Sequence, residues 1–89
     1  MLDPQKIRIA LADTSALAGR FPQVGAIQSI LAQLRYLEDV AEGRADDQRL
    51  PEIILGVQAA REIEPLDEAL ADKLHDIAAD IRAMTQASA

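Results

Sequence analysis

The sequence predicts an all-α fold, a compact antiparallel bundle of about four helices, formed as one domain over residues 1–89. Three observations lead there. Apolar residues return at three- and four-residue steps along four stretches, the spacing that lines one face of an α-helix. Prolines and glycines fall between those stretches, at Pro4, Gly19, Pro22, Gly43, Pro51 and Pro65, where helices start or stop. The apolar half of the composition is mostly Ala, Leu and Ile, with only Phe21 and Tyr36 as aromatics, and no run alternates with the two-residue period of a strand. A chain of 89 residues buries one modest core, and amphipathic helices joined by short turns bury it as a bundle.

Each element has its own grounds. Asp3-Pro4 starts the first helix, an N-cap acid followed by a proline whose missing N–H costs nothing at the first position. Ile7, Ala10, Leu11, Thr14, Leu17 and Ala18 form its stripe, and Gly19 is the expected C-cap. Pro22 is expected in the first turn of the second helix, whose stripe is Ile27, Ile30, Leu31, Leu34, Leu37 and Ala41, with Val40 at the edge. Gly43 ends it. Glu38, Asp39 and Glu42 stand at its C-terminus, where acids oppose the helix dipole. Residues 44–49 read as a polar linker, with Asp46 and Asp47 as capping candidates. Leu50, Ile53, Ile54, Val57 and Ala60 define a third helix, with Pro51 limiting its start. Gly56 lies in its interior at a cost of about 1 kcal/mol against alanine. Either another helix approaches closely there, or a gap is left for a partner.

The fourth helix organises the rest. Pro65 is expected at its first position, with Glu64, Asp67 and Glu68 at the positive end of its dipole. Leu66, Leu70, Leu74, Ile77, Ala78 and Ile81 form its inner face, and Met84 to Ala89 are expected to fray. Glu68, Asp72, Asp76 and Asp80 repeat at four-residue steps. At about 100° per residue, Glu68 lies roughly 200° from Leu66, away from the core. Stacked acids repel by roughly 0.2–0.5 kcal/mol per pair, and Lys73 and Arg82 are the only lysine and arginine between residues 62 and 89. Such a run is usually a solvated face; the sharper reading is a docking face for a basic partner.

Composition excludes several functions. A net charge of −6 and the absence of clustered cations argue against nucleic acid. The chain has no cysteine, hence no disulfide staple and no thiolate metal site. The N-terminal residues hold no signal-peptide core and no stretch approaches a membrane span, so a cytoplasmic protein with no membrane association is expected.

No catalytic constellation emerges. Asp72-x-x-His75 has the spacing of a carboxylate-bundle metal pair, but such sites need a second copy and the chain has one histidine. Asp39-x-x-Glu42 and Glu64-x-x-Asp67 could hold Mg²⁺ as in all-α nucleotide pyrophosphohydrolases, yet no cations cluster beside them to hold a triphosphate. Ser15, Ser29, Thr14 and Thr85 have no histidine at local helical spacing, and there is no phosphate-cradling glycine loop. No metal and no cofactor is expected. By elimination the chain reads as a binding protein, an acidic adaptor or regulatory subunit being one form of that. Arg35 and Tyr36, residue types enriched in binding hot spots, lie at or beyond the edge of the second stripe. They either anchor a partner or serve the bundle rim, with Arg35 pairing to Asp39.

Several segments together resemble one family: Arg20-Phe21-Pro22; Ser29 with Gln33-Leu34-Arg35-Tyr36-Leu37 and Val40; Leu55-Gly56; Ala60-Arg61-Glu62-Ile63-Glu64; and Asp67 with Leu70. In this order and spacing they are similar to the small all-helical immunity proteins of bacterial type VI secretion, among them one that protects against an effector destroying NAD and NADP. The resemblance covers about residues 7–77. It implies a protein that is not an enzyme, binds the toxin domain of a cognate effector encoded beside it, and blocks that toxin's active site in the cytoplasm. A toxin that binds NAD(P) needs a cationic cleft, and an acidic helical face can occupy it in competition with the anionic substrate. The residues expected to contact the toxin are Glu62, Glu64, Asp67, Glu68, Asp72 and Asp76, with Arg35 and Tyr36 as anchors. The free protein is compatible with a monomer or a dimer.

Overall fold

A computed structural model describes residues 2–87. Helix α1 spans Pro4–Arg20 and α2 spans Gly25–Ala41. A 3₁₀ turn follows at Leu50–Glu52, then a short α3 at Leu55–Gln58 that continues as a π-helical turn, Ala59–Ile63. Helix α4 spans Glu68–Ala87. The described residues contain no strand. The all-α bundle is therefore as the periodicity predicts, with the third helix in a different form.

The Asp3 side chain accepts from Gln5 N at 2.9 Å and Pro4 holds the first position of α1. The helix does not stop at Gly19. It runs through that residue to Arg20, because Phe21 precedes Pro22 and the proline ring disfavours the helical conformation at the residue before it. Nor does Pro22 enter α2. It occupies the second position of a turn closed by Val24 N donating to Phe21 O at 3.1 Å, a place favoured for proline, so α2 begins at Gly25. Its end is the expected one. Gly43 has φ 79°, its N–H reaches Val40 O at 3.1 Å, and Arg44 N reaches Asp39 O at 2.7 Å. That pair of bonds needs a residue in the left-handed region, which glycine enters without a Cβ penalty.

The third helix is where the sequence pattern misleads. Pro51 starts only a 3₁₀ turn, and Ile53 is extended at φ −72°, ψ 129°. Helix resumes at Leu55, so the inward ladder becomes Leu55, Ala59 and Ile63, all fully buried. Ile54 and Val57, expected in the core, stand 50% and 57% exposed. The π turn, marked by Glu64 N donating to Ala59 O at 2.9 Å, keeps both Ala59 and Ile63 inward at four-residue spacing. Pro65 likewise sits in a turn rather than opening α4. Asp67 opens it, its Oδ1 accepting from Leu70 N at 3.0 Å.

Helix α1 lies against α2 and α4, and the α3 segment closes over α4 and α2. The core is Ile7 and Leu17 of α1, Ile27, Ile30, Leu34 and Leu37 of α2, Leu55 and Ile63, and Leu70, Leu74 and Ile77 of α4. A Cβ built on Gly56 would lie 3.5 Å from the Ala78 Cβ, so this glycine marks the close approach of α3 to α4. Thr14 is fully buried within the bundle, and its hydroxyl has no hydrogen-bond partner among the described residues. Helix α4 extends past Met84 to Ala87, while Ser88 and Ala89, where fraying is expected, lie outside the described residues.

Candidate functional site

The acidic row of α4 divides in two. The helical repeat turns Asp76 and Asp80 toward α1. There Lys6 places its ammonium 3.0 Å from Asp76 and 3.2 Å from Asp80. Those hydrogen bonds, the one to Asp76 foremost, hold the Lys6 ammonium above the ordinary lysine range, since both carboxylates favour its charged form. Lys73, on the same flank, pairs with Asp13 of α1. The other half of the row, Glu68 and Asp72, is exposed and has no ion-pair or hydrogen-bond partner among the described residues.

The remaining predicted contact residues fall into distinct roles. Glu62 is exposed on the π turn and unpaired among the described residues. Glu64 Oε1 lies 3.4 Å from His75 Nε2, so the histidine faces Glu64 across the turn. Asp67 is committed to capping α4. Tyr36 is half-buried and structural. Its hydroxyl donates to Asp46 O at 2.8 Å and accepts from Arg49 N at 3.1 Å, and the Arg49 guanidinium lies 5.7 Å from its ring centroid. It thereby pins the 44–49 linker to α2. Arg35 is exposed and does not pair with Asp39, because Arg44 takes that carboxylate at 2.9 Å.

Arg44 and Arg8 also resolve the acids at the α2 C-terminus. Arg44 binds Asp39 and Glu42, which hold its guanidinium above the ordinary arginine range, and Arg8 reaches Glu42 at 2.7 Å. These carboxylates thus bind cations of the chain itself. Among the described residues, no three His, Asp or Glu side chains gather into a cation-binding group.

What the sequence reading missed is a groove bounded on α4 by His75, Ala78, Ile81 and Arg82. Between α3 and α4 runs an open groove of about 570 Å³, lined by Leu50, Ile54, Gly56, Val57, His75, Ala78, Ile81 and Arg82. Ile54 and Val57 bring exposed aliphatic surface to it. One signal was available. Residues 50–57 offer two apolar ladders, and only the one through Leu55 continues to Ala59 and Ile63. No helix of the described residues is long and apolar enough to cross a membrane.

The sequence matches the family model Tsi6, a type VI secretion immunity protein, over residues 3–83. No curated protein and no solved structure matches it.

Proposed function

From the premise that the chain belongs to the Tsi6 family of type VI secretion immunity proteins, we propose that it binds the toxin domain of its cognate effector in the cytoplasm and inhibits it by covering the active site. It does so as a stoichiometric inhibitor and not as an enzyme. The toxin is an NAD(P) glycohydrolase, whose nucleotide cleft is cationic. The observation that carries this reading is that three carboxylates of residues 62–72, Glu62, Glu68 and Asp72, have no ion-pair or hydrogen-bond partner among the described residues, on a chain of net charge −6. Asp76 and Asp80 pair with Lys6 and Asp67 caps α4, and Glu68 stands in the first turn of α4, where the helix dipole favours an acid, whereas Glu62 and Asp72 have no such partner. Acids held together and unpaired instead raise the association rate with a cationic surface and reject wrong partners. Glu64 extends that surface beside His75, and Arg35 adds an unpaired guanidinium on α2. Asp76 stands at its margin, and Asp67 and Tyr36 act by fixing the backbone that presents it.

The test is a titration against the toxin domain encoded beside this chain, with NAD loss as readout and growth of toxin-expressing cells as the biological measure. One equivalent should abolish NAD loss and restore growth. A toxin domain that leaves NAD intact would refute the glycohydrolase assignment, binding without protection of NAD would refute active-site inhibition, and absence of binding would refute the immunity reading.

A further inference from the structure

The acidic surface leaves unexplained why two large aliphatic side chains, Ile54 and Val57, stand about half exposed on the same segment. That segment is latched in place. Ile54 N donates to Gln33 Oε1 at 2.8 Å, Gln33 Nε2 donates to Gln58 Oε1 at 2.6 Å, and Gln58 Nε2 donates to Ser29 Oγ at 3.1 Å. Three side-chain hydrogen bonds thus tie the start and end of α3 to α2. Aliphatic groups held in a fixed position lose little freedom when a partner covers them. They border the groove whose far wall carries Ala78, Ile81, His75 and Arg82. Arg82 has no ion-pair partner among the described residues. Asp72 lies one turn before His75 on α4, so one free acid stands near the groove's His75 edge.

We propose that this groove is the apolar centre of the effector-binding surface and takes an amphipathic segment of the cognate toxin domain. An apolar side chain of that segment packs on Ile54 and Val57, a carboxylate faces Arg82, and basic residues face Asp72 and Glu64. The inference rests on the immunity reading. The pattern is that of protein interfaces, with an apolar and arginine centre inside a charged rim. A small-molecule occupant fits less well, since such sites enclose most of their ligand and this groove is open. Gln33 acts as a positioning residue for the recognition segment.

The experiment compares the wild-type chain, Ile54→Ser/Val57→Ser and Ile9→Ser by titration against the toxin domain, with melting temperature and sedimentation measured on each. Ile9 is also exposed, at 45%, but lies outside the groove on α1. The double variant should bind at least about fiftyfold more weakly, mainly through faster dissociation, with an unchanged melting temperature, while Ile9→Ser binds as wild type. Arg82→Glu should weaken binding at least about tenfold. Gln33→Leu should accelerate hydrogen exchange at the Ile54 amide and weaken binding by less than the double variant. Wild-type binding with an unchanged double variant would overturn the inference and leave the immunity reading intact. So would a wild-type dimer that the double substitution dissociates, because the groove would then serve a second copy. A wild-type chain that does not bind the toxin removes both readings.

Discussion

Replacing Gly56 by alanine should stabilise the protein, although this glycine sits at a close helix approach. The new Cβ would lie 3.5 Å from the Ala78 Cβ, an ordinary van der Waals contact, and no backbone strain attends the change because Gly43 is the only described glycine with positive φ. Alanine also narrows the unfolded ensemble, a gain of about 0.4–1 kcal/mol where the native conformation suits it. For a domain of this size, 1 kcal/mol moves Tm by about 4–8 °C. The expected rise is therefore about 2–8 °C, read by the 222 nm ellipticity on a reversible melt. Gly56→Leu is the contrast. Its branched end must displace Ala78 or leave by the groove, and overpacking of that kind costs about 1–3 kcal/mol. A melting temperature lowered by more than 2 °C in Gly56→Ala would refute the packing argument, because it would mean that α3 and α4 approach more tightly than 3.5 Å allows.

Thr14→Val, nearly isosteric, removes a buried hydroxyl that has no partner among the described residues and should raise stability by about 1 kcal/mol in urea unfolding. Glu68→Lys/Asp72→Lys should weaken toxin binding at least tenfold, mostly in the association rate and less at high salt, with Tm little changed; equal affinity at low salt would discard the acidic surface. Asp76→Lys should differ in kind, setting a second ammonium against Lys6 and lowering Tm. The Lys6 pairing has a definite pH sign. Its folded pKa is raised, so the stabilisation is full below the ordinary lysine pKa and is lost as pH climbs through the raised value. The stability gap between wild type and Lys6→Met should thus be flat through neutral pH and shrink in strong alkali, as equilibrium unfolding across neutral and alkaline pH would show.

Legibility in the sequence followed the range of the forces involved. The stripes of α1, α2 and α4 were readable because a helix longer than four turns repeats its apolar face often enough to fix which side is buried, and Ile7, Leu34 and Leu74 are indeed inside. Gly43 was readable because a left-handed residue after a helix has few alternatives to glycine. Residues 50–63 were not. Two ladders compete there over barely two turns, and the choice between them depends on Gln33 capturing the Ile54 amide from another helix. A contact across 21 residues leaves no periodic trace in the local sequence. Helix ends were misplaced by one to three residues for a similar reason. Gly19, Pro22 and Pro65 each have a terminal role in isolation, but the turn closed at Val24 and the Asp67 cap compete for the same backbone groups.

The division of the acidic row shows why charge counting alone does not define a docking face. Four carboxylates at four-residue spacing look equivalent in sequence, yet a straight α-helix drifts about 40° with each four-residue step. Over the twelve residues from Glu68 to Asp80 the row therefore winds from solvent onto α1, where Lys6 meets its last two members. The same drift leaves Glu68 and Asp72 on the solvent face of α4, with Asp72 one turn before His75. One repeat thus serves two ends. Its C-terminal half fastens α4 to α1, and its N-terminal half stays exposed and unpaired among the described residues. If the proposed acidic surface is right, stability and recognition fall on different turns of one helix, and substitutions at Glu68 and Asp72 should alter affinity while leaving the α1–α4 contact in place.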